Sequence, residues 1–213
     1  MNKIMEKIEN GRQYRSMILE VKAQDEPESY VVEGYATTFN APYELYSYDD
    51  VTVMEQVDRN AFSECDMADV IFQYDHKGRV FARVSNNTLS LLCDDHGLLI
   101  NADLGGTEIG RGLYEEISKG YTTKMSFGFT VTEDEVSETN GEDGRRTYLR
   151  TIKKIGKLYD VSAVSLPAND ATEISARAFC DGVIAKAEAE RLLEAENRRK
   201  VEALKLKLKL MEV

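Results

Sequence analysis

Residues 120–131 read GYTTKMSFGFTV, and their alternation decides the fold class. Met125, Phe127, Phe129 and Val131 fall on one side; Lys124, Ser126, Gly128 and Thr130 fall on the other. Successive strand side chains point to opposite faces, so the pattern predicts a strand with one buried and one polar face. Ser126 then sits on the polar face, either as a small filler or as a displayed nucleophile. Gly128 shares that face, and a glycine inside a strand marks a place where another backbone can come close.

Working outward, TEIGRGLYEEISKG (107–120) predicts a helix, with Thr107 as N-cap, Leu113, Tyr114 and Ile117 as an apolar face, and Gly120 as the stop. TLSLLCDDHGLLINADL (88–104) reads as a hairpin around an Asp-Asp-His-Gly turn. YRSMILEVKA, YVVEGYATTF, VTVMEQVD and VIFQYD carry the β-branched and aromatic enrichment of strands. AQDEPES, with Pro27, reads as a loop between the first two. RNAFSECDMADV (59–70) reads as a short helix, and the acidic EDEVSETNGEDGRR (133–146) as a solvated loop with Asn140-Gly141 at its tip. TYLRTIKKIGKLYDVSAVSLPAND then supplies one or two strands ending at Pro167. Beyond Ala178 the composition turns to Ala, Glu, Lys, Arg and Leu, which predicts a charged helical tail over 181–213. Val201, Leu204, Leu208 and Met211 could form a short coiled-coil seam, although LKLKLKL also alternates with period two.

The chain has 213 residues, enough for one domain, over about 1–180 with its core at 15–177, plus the tail. Its net charge of −11 speaks against a nucleic-acid partner, which needs a basic stripe. No stretch approaches the roughly 18 apolar residues of a membrane span. Cys65, Cys93 and Cys180 form no C-x-x-C pair, so neither a zinc site nor a disulfide framework is expected, and a reducing compartment fits. The carboxylate runs at 48–50, 93–95 and 132–135 lack calcium-loop spacing, and LGGTEIGRG lacks the Gly-Lys-Ser/Thr ending of a phosphate loop, so neither metal nor nucleotide cofactor is expected.

Only two histidines can serve as a base. His76 follows a strand in FQYDHKGR; His96 lies in the CDDHGLL turn. Taken singly, each is an ordinary surface residue, and Ser126 is one of twelve serines with no G-x-S-x-G elbow around it.

Five segments in order add to this reading: VEGYATTFN (32–40), EQVDRNAF (55–62), YDHKGRVFARVSNNTLSLLCDDHGLLINADL (74–104), YEEISKGYTTKMSFGF (114–129) and VSAVSLPANDATEISAR (161–177). Together they resemble the prohead (procapsid maturation) serine proteases of tailed bacteriophages, relatives of the herpesvirus assembly protease. The resemblance implies a mainly β (α+β) fold: an antiparallel β-barrel like the herpesvirus enzyme, with surrounding helices, followed here by the C-terminal helical tail. It implies Ser126 as nucleophile, His76 as general base and Asp160 as first choice for the orienting group, with Asp75 and His96 as alternatives. Substrate is expected over Gly128 and Phe127. An oxyanion hole is expected from N–H groups near Val164 to Leu166 or from a water held by Arg83. Two departures stand out: Arg59-Asn60-Ala61-Phe62 replaces the family's Pro-Gly-Ala-Phe, and Asp75-His76-Lys77 replaces an Asn-His-Asp-like element.

The implied function is a serine endopeptidase that cuts the capsid protein, a scaffold segment and itself, with no cofactor. It would work inside the assembling prohead in the bacterial host cytoplasm, with self-association and no membrane partner. The alternative is a non-catalytic assembly protein that docks through its C-terminal helix. A histidine base would make activity rise with pH as the imidazole becomes neutral.

Overall fold

The computed structural model describes residues 12–17, 22–23, 29–48, 50–141, 144–165 and 173–211. Most of the expected AQDEPES loop, Leu166 and Pro167 lie outside them. The elements run β1 (Gln13–Met17), β2 (Lys22–Ala23), β3 (Val31–Thr38), β4 (Tyr43–Tyr48), β5 (Val51–Val57), β6 (Ile71–Tyr74), β7 (Lys77–Arg83), β8 (Leu89–Cys93), β9 (Gly97–Asp103), α1 (Glu108–Ser118), β10 (Lys124–Asn140), β11 (Arg146–Val164) and α2 (Glu173–Met211).

The described strands form two sheets. One has the order β1-β10-β11-β5-β4, with β6 pairing β11 and β7 pairing β6; the other is β2-β3-β9-β8. Neither closes on itself among the described residues, so the mainly β class is observed as two open sheets with helices beside them. They share one core: Val32, Ala36, Leu98 and Ile100 from the smaller sheet meet Phe72, Met125, Phe127, Phe129, Ile152, Leu158 and Val161 from the larger. A parallel bridge between Phe39 and Val57 joins the sheets at one corner.

The period-two stretch at 124–131 is the first half of β10, and the helix before it is capped as its residues require. Thr107 Oγ1 accepts from the Gly110 N–H at 3.1 Å, and Gly120 takes φ of 74° just past the helix end. Two expectations are corrected. Residues 59–64 form successive turns rather than a helix: Asp58 Oδ1 takes the Asn60 N–H, and the Asp66 N–H leaves for Gly156 O, so no helical ladder propagates. The acidic run at 133–140 is strand, not solvated loop, because β10 continues to Asn140 against β11. Basic partners neutralise it there: Glu133 pairs with Lys154, Asp134 with Arg150 and Lys186, and Glu138 with Arg191.

The β10–β11 hairpin positions the site. Register shifts at Gly128/Phe129 and from Thr130 to Asp134 bend it, as bulges do, so that β10 also packs against β3. The tail is helical through its LKLKLK stretch. Phe179, Cys180, Val183, Ile184 and Ala187 of α2 dock on Val51, Val53 and Tyr148, and Tyr48 Oη donates to Asp181 at 2.8 Å. Farther along, Leu192, Leu193, Val201, Leu204 and Leu208 are exposed.

Candidate active site

Ser126 and Gly128 lie opposite Ser162 and Asp160 in the β10–β11 ladder. Alternation puts these four on one face and sends Met125, Phe127 and Phe129 into the core on the other. Phe127 is fully buried there, its ring stacked on Phe129 at 4.4 Å between centroids. It lies on the side of β10 away from the Ser126 hydroxyl.

His76 arrives on a tight turn. β6 runs parallel to β11, with Gln73 opposite Ser162 and Tyr74 opposite Ala163, so its end lies beside the Ser162 strand segment. Tyr74 pairs with Lys77 across Asp75 and His76, which take φ of 49° and 56°. Positive φ at both central residues is the hairpin geometry whose twist matches its flanking strands. The Asp75 carboxylate accepts from the Ser165 N–H and hydroxyl, each at 2.9 Å, tying the turn to the end of β11. That commitment keeps Asp75 on the turn rather than on the imidazole nitrogens.

The imidazole spans two partners. Its Nε2 is 2.5 Å from Ser126 Oγ, and its Nδ1 hydrogen-bonds Asp160 Oδ2. A carboxylate only accepts, so Nδ1 carries the proton and the Nε2 lone pair faces the serine hydroxyl. Ser162 Oγ donates to the same Asp160 Oδ2 at 2.9 Å and lies 3.2 Å from His76 Nδ1. Ser126 and Asp160 are fully buried. His96 is elsewhere, on the β8–β9 turn, with its ring edge-on to Tyr35 at 4.5 Å.

Burial pushes the His76 pKa down to about 4, the Arg12 guanidinium reinforces the shift, and Asp75 opposes it. Arg12 forms an ion pair with Asp160 Oδ1, and its guanidinium lies over the rings of Tyr159 at 4.5 Å and Tyr14 at 5.1 Å. At Gly128 a Cβ would collide with Asp160 Oδ1 and come within 2.8 Å of Tyr14 Cε1. These close neighbours are side chains rather than a backbone crossing the strand face.

A family model described as caudovirus prohead serine protease matches residues 17–183. The chain belongs to that family. No match was found among curated proteins or solved structures. Prohead proteases are serine proteases of tailed-phage capsid maturation, which gives this chain a proteolytic role there, association with capsid proteins, and a place inside the assembling prohead. No helix among the described residues is long and apolar enough to cross a membrane.

Several residues of this prohead protease's site escape a sequence reading. Ser162 had a signal: in DVSAVS it lies two residues past Asp160, on the same strand face. Arg12 and the Arg15 carbonyl had none, since they precede both the resembling segments and the family match. Two of the expected oxyanion groups meet other partners, while Leu166 lies outside the described residues. Arg83 grips Asp69 at 2.7 and 3.1 Å, and the Ser165 N–H is taken by Asp75.

Proposed function

We propose that this prohead protease hydrolyses peptide bonds with Ser126 as nucleophile, His76 as general base and then acid, and Asp160 as the carboxylate that orients the imidazole. The observation that carries the reading is the unbroken run from Asp160 through His76 to Ser126 Oγ, the last contact 2.5 Å long. A serine hydroxyl is a weak nucleophile at neutral pH, so its proton passes to Nε2 as Oγ attacks the scissile carbonyl carbon. Asp160 stabilises the imidazolium formed in that step, and Ser162, donating to the same oxygen, holds the carboxylate in place. His76 then protonates the departing amine. A water, deprotonated by the same nitrogen, hydrolyses the acyl-enzyme and restores Ser126. With the His76 pKa near 4, the imidazole is already neutral and able to accept across the whole neutral range.

The substrates on this reading are the capsid protein, a scaffold segment and the protease itself. The corner bridge at Phe39–Val57 and the packing of the bent β10 on β3 support a barrel-like relation to the herpesvirus enzyme. The exposed leucines of α2 support docking of the tail on capsid or scaffold helices, or on a second copy. An assembly protein that cuts nothing needs no serine and imidazole buried in contact, so the tail is proposed as an accessory to the protease. Co-expression with the phage capsid protein tests the reading. Wild type should convert the capsid protein to a shorter product, and Ser126→Ala and His76→Ala should leave it whole. Conversion by Ser126→Ala would remove the nucleophile assignment.

A further inference from the structure

Strand β1 covers the proposed catalytic face. The ladder sets Tyr14 opposite Gly128, Arg15 opposite Phe127 and Ser16 opposite Ser126. Three contacts converge on the proposed triad: the Ser126 hydroxyl reaches Arg15 O at 2.8 Å, the Tyr14 ring lies edge-on to His76 at 4.5 Å, and Arg12 pairs with Asp160. Ser126 is left without solvent exposure, so no peptide reaches it while β1 is in place. One edge of β10 belongs to β11 and the other to β1. The β1 edge is therefore where an extended peptide can add as a strand and bring a carbonyl to Ser126.

The side chain of Arg15 supplies an independent observation. Its carbonyl faces the nucleophile, while its guanidinium lies in a pocket floored by the fully buried Glu55. Nε is 2.6 Å from Oε1, Nη2 is 3.1 Å from Oε2, and the Phe179 ring packs at 5.0 Å. Burial alone would raise the Glu55 carboxyl pKa, yet Arg15 and Arg150 together hold it below its ordinary range. Glu55 also binds Arg150 and Tyr43, each at 2.5 Å, and Asp134 binds Arg150 and Lys186. Glu55, Arg150, Asp134 and Lys186 balance in charge by themselves, so the pocket stands without Arg15 and still presents a carboxylate to an incoming cation. The seat of β1 is also imperfect. Arg12 Nε is the only buried side-chain nitrogen or oxygen among the described residues that lacks a hydrogen-bond partner, a defect that favours its release.

We infer that β1 occupies the place of a substrate, and that this protease takes peptide strands along β10 with arginine or lysine at the residue whose carbonyl faces Ser126, read by Glu55. This rests on the Ser126 assignment above and adds the substrate's chemistry to it. In the cut, Ser126 Oγ bonds to the carbonyl carbon of the basic residue. His76 carries the hydroxyl proton to the amide nitrogen as the C–N bond breaks, and water then frees a carboxylate terminus and regenerates the serine. In the resting arrangement the Ser126 proton has a second acceptor, Arg15 O, which competes with His76 for it. A substrate strand has to displace β1. The family match begins at residue 17, so the covering strand is read from this chain alone.

The test uses the full-length protein and a blocked synthetic peptide copying residues 10–20, NGRQYRSMILE, with versions carrying Arg15→Lys, Arg15→Ala and Arg15→Glu. Products are mapped by mass spectrometry, with the capsid protein as a parallel substrate. The parent and Arg15→Lys peptides should be cut before Ser16, the Arg15→Ala peptide at least about tenfold more slowly, and the Arg15→Glu peptide not at all. A Glu55→Gln enzyme should bring the parent and Arg15→Ala rates to within about threefold of each other. If that variant does not fold, the peptide series on wild type decides alone. Normal capsid cleavage with the parent peptide uncut, or cut no faster than Arg15→Ala, overturns the inference and leaves the protease reading standing. Failure to cut either substrate removes both.

Discussion

Replacing Phe127 by alanine separates two roles that its place beside Ser126 in sequence confuses. The ring is fully buried, stacked on Phe129 at 4.4 Å, and belongs to the core shared by both sheets. Losing it removes roughly 150–250 Å² of buried surface, or about 4–6 kcal/mol as an upper figure. Measured Phe→Ala changes in cores run about 3–5 kcal/mol. For a chain of this size each kcal/mol lowers Tm by about 2–4 °C, so the variant should melt about 6–20 °C below wild type. Differential scanning calorimetry gives the shift. Cleavage kinetics well below the variant's Tm should show KM within about twofold of wild type, because the ring faces away from the serine. An unchanged Tm with a several-fold higher KM would refute the placement and put Phe127 at the substrate.

Three further outcomes follow from the site. Asp160→Asn keeps the volume but removes the carboxylate that fixes the imidazole tautomer, so kcat should fall by about 10³–10⁴-fold with little change in KM; a loss below tenfold would remove Asp160 from the triad. Arg12→Ala takes a positive charge away from His76, which makes the imidazolium easier to form. The acid limb of kcat/KM should therefore move upward from about 4 toward 6.5, and an unmoved limb would show that Arg12 does not act on the base. Gly128→Ala drives a methyl group against Asp160 Oδ1 and Tyr14, displacing the orienting carboxylate. Its kcat/KM should fall by about 10²-fold while the far-ultraviolet spectrum is unchanged, and full activity would contradict the close packing.

What was legible in the sequence was local. The alternation at 124–131, the 88–104 hairpin and the Thr107-to-Gly120 helix each depend on neighbours within a few residues, and each is found where expected. The acidic strand at 133–140 was illegible because its neutralising partners, Arg150, Lys154, Lys186 and Arg191, arrive from distant segments. Read alone, Glu133 to Glu138 has the polarity of a loop; against β11 it is a strand. YELYSY and KGRVFAR carry little strand signal for a related reason: among the described strands β4 and β7 lie at sheet edges, only partly buried, with a weak apolar pattern. At the site, period two places Ser126 and Gly128 on a polar face, but nothing local pairs them with His76 or Asp160. That pairing rested on family resemblance, and the geometry now shows the side chains in contact. The cover over Ser126 was beyond reach, since Arg12 and Arg15 meet their partners across 148 and 111 residues of chain.

The most direct measurement is to locate the covalent adduct formed with a serine-directed fluorophosphonate. After prolonged incubation of full-length protease, capsid-cleaving activity should be lost, and peptide mapping should find one modified residue, Ser126, with no adduct in the His76→Ala variant. Loss of activity with the label on another residue, or undiminished capsid cleavage when Ser126 is fully modified, would contradict the assignment of Ser126 as the nucleophile.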